Sequence, residues 1–486
     1  MATTTSAPLQ VRPQSVHNLN GHLGVGAIIF MVVAAAAPLT VIGGAAPLGI
    51  LLGNGVGYPS MYAVSGIILL FFSVGLSAMS RAVPKPGAFF TYVGYGFNQV
   101  IGVGAAWLAL LTYTAIQLSV YAYVGYLIDY NVRTVGIPGI PWWIYSFTMI
   151  AIVGGLGYHH LELSSKVLGV FLLGEIGITV LLALAVIARG GAEGLSLAPF
   201  DPATIASGSP GVGLMFAIAG FIGFESTAIF RDEAKDPDVT IPRATFGAVI
   251  LIGLLYTFAG WALVMAWGPS HVVDAAAVDA GGMMVLTAAT YLGPVGMAVV
   301  EVLIVTSMFA CVLSFHNVLT RYLHSMARVN LLPARLADVH ARHISPYVAS
   351  LTQTVSAVVL LLACVALGLD PVLEVFTWAS GVATVAIVAL MLLTSVAIIR
   401  YGWRHRGRFG NAWNTLVAPV VATAGLAVSA TAIIVYFPTL VGGSWDLATP
   451  LLLLVPLVLA IGVVQALRLR HRRPDLYADV IDSISD

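Results

Sequence analysis

Long apolar segments alternate with short polar segments along almost the whole chain. A helix needs about 20 mostly apolar residues to cross the ~30 Å hydrocarbon core of a bilayer. We count twelve such segments, at about residues 24–52, 58–80, 100–128, 142–158, 167–188, 210–231, 244–267, 294–327, 347–367, 372–399, 414–436 and 448–468. An open sheet cannot satisfy its backbone in lipid, so the pattern predicts helices. We therefore expect an all-α integral membrane protein with twelve transmembrane helices.

Composition and the placement of charge support this count. Hydrophobic residues make up 59% of the 486 residues and charged residues only 9%, too few for a soluble protein of this length. With twelve crossings and a cytoplasmic N-terminus, all 21 basic residues except Arg133 and Arg189 fall on the cytoplasmic side. Cytoplasmic loops are enriched in Lys and Arg. The distribution predicts a multi-pass protein of the cell (plasma or inner) membrane with both termini cytoplasmic, and it gives no reason to expect nucleic-acid binding.

Two of the twelve segments contain helix-breaking residues near the middle. In the first, Pro38 lacks an N–H and a Gly-Gly pair follows it. In the sixth, Gly220 and Gly223 precede an acid, Glu225. Unpaired backbone groups inside a membrane are tolerated where they line a water-filled cavity. Five segments separate the two breaks, so the helices cross in opposite directions, which is typical of inverted-repeat transporters. A simple proline kink is the alternative for the first segment taken alone.

Three motifs resemble the amino acid–polyamine–organocation superfamily of transporters. The longest, FIGFESTAIFRDEAKDPDVTIPRA at Phe221–Ala244, is similar to the end of the family's sixth helix. SRAVPKPGAFFTYV at Ser80–Val93 resembles the loop after its second helix, and ARVNLLPARLADV at Ala327–Val339 resembles the loop after its eighth. The first helix departs from the family pattern, because Pro38-Leu39-Thr40 stands where Gly-Ser-Gly or a similar tripeptide is usual.

The resemblance implies a leucine-transporter-like core of five plus five helices in an inverted repeat, with discontinuous helices 1 and 6 and two further C-terminal helices. We accordingly expect a cytoplasmic tail at residues 1–20, the transport core (helices 1–10) at 21–400, helices 11 and 12 at 401–468, and a second cytoplasmic tail at 469–486. The resemblance also implies a permease that moves an amino acid or a related small organic amine by alternating access. Such a secondary transporter is coupled to protons or works as an exchanger.

The broken helices predict a pocket in which peptide dipoles supply the charge. The N-terminal end of the second half of helix 1 suits a carboxylate, and the carbonyls that end the first half of helix 6 suit an ammonium. Pro38 removes one donor from the carboxylate side, which favours substrates with a weak, distant or absent carboxylate. The substrate-binding candidates at the two breaks are Ala37, Pro38, Leu39, Thr40, Gly220, Phe221, Gly223 and Phe224. For the phenylalanines, packing or lipid contact is the alternative.

The third and tenth helices add polar candidates. Tyr113 and Gln117 lie one turn apart on one face of the third helix, which lines the pocket in the family. The candidates from these helices are Tyr113, Thr114, Gln117 and Trp378, the last with its neighbours Thr377 and Ser380. Hydrogen bonding between helices is the alternative role for these groups.

Two acids within the predicted helices are candidates for proton coupling or gating. Acidic residues in membrane helices are costly and mark functional pathways. Glu175 lies near the level at which proton-coupled relatives carry a lysine in the fifth helix, and a structural hydrogen bond is the alternative. Glu225 follows the break in helix 6 and either braces the unwound segment or titrates. A proton is the favoured coupling ion over sodium, for which Thr306 and Ser307 form a usable hydroxyl pair.

Catalytic motifs are missing from the sequence. It contains no nucleophile elbow, no H-E-x-x-H and no phosphate-binding loop, so we expect no enzyme activity, no cofactor and no metal site. Cys311 and Cys364 lack motif spacing and are expected to be free core residues. A membrane-bound substrate sensor and a membrane-embedded enzyme are the alternatives to transport. The expected partners are a small-molecule substrate, a proton and the lipid bilayer.

Overall fold

The computed structural model describes residues 23–83, 89–134, 136–159, 165–340, 345–405, 410–478 and 480. Within these ranges the chain is helical and forms no strand. The predicted N-terminal tail lies outside the described residues, and so does the end of the predicted C-terminal tail.

Fifteen helices account for most of the described chain. They are α1 (Val25–Ala36), α2 (residues 38–54, with α and π turns), α3 (Tyr58–Ala82), α4 (Phe89–Gly96), α5 (Gln99–Thr134), α6 (Trp142–Tyr158), α7 (Ser165–Ala188), α8 (Pro210–Ala219), α9 (Pro237–Trp267), α10 (Val272–Asp279), α11 (Met283–Arg328), α12 (Tyr347–Ala366), α13 (Thr377–Arg404), α14 (Ala418–Leu440) and α15 (Trp445–Arg472). Shorter turns lie at Gly55–Gly57, Ala198–Phe200, Pro202–Ile205, Phe224–Glu233, Ala334–Ala337, Pro371–Phe376, Trp413–Val417 and Pro474–Ala478.

Ten helical stretches of the described chain are long and apolar enough to cross a membrane. One of them, Val25–Ala82, has 58 residues, far more than one crossing requires. It is interrupted at Ala37 and again at Gly53 and Gly55, which have non-helical backbone conformations. α6 is apolar but has 17 residues. The helices confirm a polytopic all-α membrane protein, whereas the count of twelve crossings stays a prediction.

The two interrupted segments lie side by side and run antiparallel. At one end the Lys235 N–H donates to the Leu23 carbonyl at 3.0 Å, and at the other the Ser209 N–H donates to the Gly53 carbonyl at 2.9 Å. α1 packs against Phe224–Glu233, and the last turn of α2 packs against α8. The start of each broken segment therefore meets the end of the other.

Gly53 shows how closely the two segments approach each other. A Cβ atom at Gly53 would lie 2.9 Å from the backbone nitrogen of Gly213 on α8. Real Cβ atoms do not come so near to backbone, so only glycine fits between α2 and α8 here. This contact holds the end of α2 against the start of α8.

α5 lies at the centre of the helix bundle, and α14 and α15 lie at its edge. α5 packs against α4, α6, α11, α13 and α15, and most of its side chains are buried. α15 instead exposes large apolar side chains, among them Leu453 and Leu457, which are 56% and 55% exposed. Exposed leucines on a long apolar helix suit contact with lipid.

Candidate functional site

The first break centres on Ala37, which has a left-handed conformation (φ 49°, ψ 73°) that residues other than glycine adopt at a cost. Its N–H ends α1 by donating to two carbonyls in the last turn, both at 3.2 Å. Pro38 then starts α2 without an N–H of its own. The helical ladder resumes where the Val41 N–H donates to the Ala37 carbonyl at 3.1 Å. Backbone groups between the two halves are therefore left for other partners.

Glu175 of α7 occupies the N-terminal end of α2. Its carboxyl group accepts from Ser307 Oγ of α11 at 2.7 Å and faces the Leu39 N–H. Thr40 Oγ1 in turn donates to Ser307 Oγ at 3.3 Å. A carboxyl group at this end of a helix interacts favourably with the helix dipole and with the unpaired N–H groups. The first turn of α2 is thus capped by an acid from a distant part of the chain.

The second break runs from Gly220 to Gly223. Gly223 has φ 113°, which favours glycine, and the 3₁₀ segment Phe224–Glu233 follows it. The buried carboxyl group of Glu225 accepts from the Gly223 N–H at 2.8 Å and from Tyr113 Oη of α5 at 2.6 Å. Glu225 therefore closes the turn locally and ties it to the central helix.

A cavity lies between the two breaks, and its space of about 430 Å³ includes a part that is open to the outside. Its wall is formed by both breaks and by α5, α11 and the start of α13: Ala35, Ala36, Ala37, Thr40, Val41, Ala45, Ile116, Val120, Phe216, Ala219, Gly220, Ile222, Cys311, Phe315, Phe376 and Ser380. The lining is mostly apolar and contains no charged side chain. Small apolar cavities with a few polar groups are typical of small-molecule sites.

Three of the predicted substrate-binding residues, Ala37, Thr40 and Gly220, line this cavity. Pro38, Leu39 and Gly223 lie beside it in the two breaks and shape the backbone. The remaining six lie outside the lining: Tyr113, Thr114, Gln117, Phe221, Phe224 and Trp378.

The two phenylalanines of the second break pack away from the cavity. The Phe221 ring meets Tyr256 edge to face, with centroids 6.1 Å apart. Phe224 packs against Phe72 and Phe89, both at 6.2 Å. Their role in this structure is to anchor the unwound segment on α3, α4 and α9.

The polar candidates of α5 pair with other helices. Gln117 Nε2 donates to the Val312 carbonyl at 3.1 Å, and its Oε1 accepts from Gln353 Nε2 at 2.5 Å. Tyr113 is held by Glu225, while Thr114 and Trp378 are half-buried. These contacts correspond to the interhelical alternative that the sequence left open.

Apolar residues that sequence reasoning missed form much of the lining. Ile116 and Val120 lie on α5 within a turn of the polar candidates, and Phe216 lies one turn before Gly220. Phe376 immediately precedes Thr377 in the tenth predicted helix. Proximity to the breaks indicated part of the lining, whereas the polar side chains predicted on α5 lie outside it, and their role in substrate binding stays a prediction.

Antiparallel broken helices around a central cavity in a polytopic helical membrane protein define a transporter-like class of fold. The family model described as "Amino acid permease" matches residues 23–461, nearly the whole chain. The chain belongs to the amino acid permease family. This confirms the resemblance to the amino acid–polyamine–organocation superfamily and, with the apolar helices, a multi-pass protein of the cell membrane.

The curated relatives are distant in sequence, and their names refer to different solutes. The low-affinity putrescine importer PlaP of Escherichia coli is 24% identical over 246 residues, which is 49% of this chain and 52% of the relative. The branched-chain amino acid permease BcaP of Bacillus subtilis is 23% identical over 311 residues (61% and 65%). The serine/threonine exchanger SteT of the same organism is 24% identical over 312 residues (62% and 67%). The chain thus spans about half to two thirds of the length of these relatives. Their names describe importers, permeases and exchangers rather than enzymes, in agreement with the prediction of a non-enzymatic protein.

Proposed function

We propose that the chain is a secondary active transporter that moves an amino acid or a small organic amine across the cell membrane by alternating access. One observation carries the proposal: two helix breaks that lie in antiparallel segments border a common cavity with about 430 Å³ of space. Two half-helices that rock against a fixed bundle open such a cavity first to one side and then to the other. Membership of the permease family supports this function.

Proton coupling through Glu175 is part of the proposal. The carboxyl group joins three helices, because it lies on α7 and contacts Leu39 of α2 and Ser307 of α11. Protonation removes its charge from the end of the α2 dipole and weakens its attraction for the Leu39 N–H. A proton that enters or leaves therefore changes how firmly α2 is held to the neighbouring helices.

The contacts of Glu175 favour a proton over sodium. The oxygens of Glu175, Ser307 and Thr40 are joined to one another by hydrogen bonds, whereas a sodium ion needs several oxygens that converge on it. Thr306, the second member of the predicted hydroxyl pair, donates to the Leu303 carbonyl of its own helix at 3.0 Å. The proposed coupling ion is accordingly the proton.

Glu225 has the bracing role in this proposal. It accepts hydrogen bonds from the Gly223 N–H and the Tyr113 hydroxyl, so the second break stays attached to α5 while the half-helices move.

At one end of the bundle, buried Arg231 contacts Asp238 at 2.5 Å and Ser80 at 3.3 Å. We propose that this end is the cytoplasmic seal, with both termini on the same side.

The rest of the proposed architecture is the one that the sequence analysis predicts. Twelve helices cross the membrane: α1 and α2 form one crossing, and α8 with the segment after it forms another. Helices 1–10 within residues 21–400 form the inverted-repeat core. Helices 11 and 12 at 401–468 add two peripheral crossings, which correspond to α14 and α15.

Solute uptake into proteoliposomes tests the proposal. The purified chain is reconstituted, and accumulation of labelled leucine, serine, putrescine and isoamylamine is measured with and without an inward proton gradient. At least one solute is expected to accumulate above its external concentration when the gradient is present. Binding without accumulation would instead identify a sensor, and the absence of both binding and uptake across the panel would overturn the proposal.

A further inference from the structure

The end of the cavity that should receive a solute carboxylate offers few donors. Pro38 has no N–H, and the Leu39 N–H already faces the carboxyl group of Glu175. Of the first three residues of α2, only Thr40 retains a free backbone N–H, and its hydroxyl donates to Ser307. The carboxyl group of Glu175 already lies at this helix end, and while it is ionised it repels a second carboxylate beside it.

Each break also leaves a carbonyl of a cavity-lining residue without its helical donor. In a continuous helix the Leu39 N–H would reach the Ala35 carbonyl, but here it faces the carboxyl group of Glu175 on α7. The Phe224 N–H would reach the Gly220 carbonyl, but it donates to the carbonyl three residues before it at 3.1 Å. Ala35 and Gly220 both line the cavity. Such carbonyls at helix C-terminal ends carry partial negative charge and suit an ammonium group.

The rest of the lining suits an apolar body with a single positive charge. Three phenyl rings, of Phe216, Phe315 and Phe376, border the cavity, and an ammonium group is attracted to the face of such rings. The other side chains are mainly alanine, valine and isoleucine. Among the residues that the structure describes, the lining contains no Lys, Arg or His that could pair with a carboxylate, and no acid that could pair with a second ammonium group.

From these observations we propose that the solute is a small monoamine without a carboxyl group, with a branched aliphatic or aromatic body. This inference rests on the proposed transport function and names its substrate class. The ammonium group binds the Ala35 and Gly220 carbonyls, and the apolar body fills the space between the phenyl rings. Chemically, such a solute is the product of decarboxylating an apolar amino acid.

A matched set of three solutes tests the inference. Isoamylamine is leucine without its carboxyl group, and cadaverine is a diamine of similar length. Binding of each to the purified full chain is measured by titration calorimetry, and transport is measured in proteoliposomes. We expect isoamylamine to bind at least about tenfold more tightly than leucine or cadaverine, because each of these carries an extra charge without a partner.

The outcomes separate this inference from the proposed function. If leucine is accumulated and binds as tightly as isoamylamine, the monoamine inference is overturned while the transport function stands. If cadaverine matches isoamylamine, a second anionic subsite exists and the inference is likewise overturned. If none of the three binds or accumulates and the wider panel also fails, the transport function itself is wrong.

Two variants examine the carboxylate side directly. Pro38→Gly restores a backbone N–H, and we expect it to raise leucine affinity relative to isoamylamine by about tenfold. Pro47→Gly, which makes the same change further along α2 and outside the lining, is the matched control and should leave the ratio unchanged. Glu175→Gln removes the competing carboxylate but keeps an acceptor for the Leu39 N–H, and it should shift the ratio in the same direction. An unchanged ratio in both Pro38→Gly and Glu175→Gln would contradict the inference.

Discussion

The two broken helices leave helical geometry in different ways. In the first, one alanine in a left-handed conformation ends α1, and α2 begins at the next residue. In the second, the chain passes through Gly220 and Gly223 and then continues as ten residues of 3₁₀ helix. Both breaks place the start of their second half beside a buried carboxyl group. At the second break that group, Glu225, lies two residues from the N–H it binds, whereas at the first Glu175 comes from another helix.

This difference suggests a division of labour between the two acids. A local cap can fold with its own segment and stays attached wherever that segment moves. A cap from another helix forms only when the two helices are in the right relative position, so its presence depends on the conformation of the protein. When the cap is lost, one helix can move relative to the other. We therefore expect Glu225 to matter mainly for folding and Glu175 mainly for coupling.

Glu225→Ala is expected to have the largest effect. It leaves the buried Gly223 N–H and the Tyr113 hydroxyl without their acceptor, at a cost of about 1–3 kcal/mol for each group. We expect a large fall in the yield of folded protein and in its melting temperature in detergent. Glu225→Gln, which keeps an acceptor oxygen, is the matched control and should lose less. Equal melting temperatures for wild type and Glu225→Ala would contradict the bracing role.

Glu175→Gln should abolish transport driven by the proton gradient with little loss of stability. The amide cannot carry the proton, but its oxygen still accepts from Ser307 Oγ and offers an acceptor to the Leu39 N–H. Gradient-driven accumulation and solute exchange are compared in the same proteoliposomes. Exchange should persist, and because the coupling group no longer titrates, its rate should depend less on pH than in the wild type. Normal concentrative uptake by this variant would show that the proton is carried elsewhere.

Gly223→Ala should have an intermediate effect. The residue has φ 113°, which strains any residue with a Cβ, although a Cβ there would meet its nearest neighbour at an ordinary 3.5 Å. The expected loss is therefore conformational, about 1–2 kcal/mol. Thermal unfolding measures it, and Gly26→Ala, where a Cβ meets nothing within 4 Å, is the control. A loss no larger than that of the control would mean that the second break tolerates other backbone angles.

Ala37→Gly should have the smallest effect and the opposite sign. Glycine adopts the left-handed conformation of residue 37 without strain, which offsets its greater freedom in the unfolded chain. We expect the melting temperature to stay unchanged or to rise by an amount that corresponds to no more than about 1 kcal/mol. A marked destabilisation would show that the methyl group of Ala37, which lines the cavity, contributes packing that outweighs the strain.

Much of the fold could be predicted from the sequence, because lipid requires long apolar helices and basic residues mark their ends. Both breaks could be found since proline and glycine identify them. Ala37, the residue at which the first helix is interrupted, could not be predicted, because alanine does not favour a left-handed conformation. On α5 the pairing of Gln117 with Gln353 and of Tyr113 with Glu225 depends on contacts more than 100 residues apart along the chain. These pairings satisfy the polar groups and leave Ile116 and Val120 for the cavity.

The central claim is that the solute binds between the two breaks, and Cys311 offers a direct test. Its side chain lines the cavity, whereas Cys364, the second cysteine, lies on α12 away from it. In the Cys364→Ser variant, the rate of Cys311 modification by a small methanethiosulfonate reagent is measured with and without a saturating solute that the wild type accumulates. The account predicts that the solute slows modification of Cys311 but leaves modification of Cys364 unchanged in the reciprocal Cys311→Ser variant. An unaltered rate at Cys311 under saturating solute would contradict it.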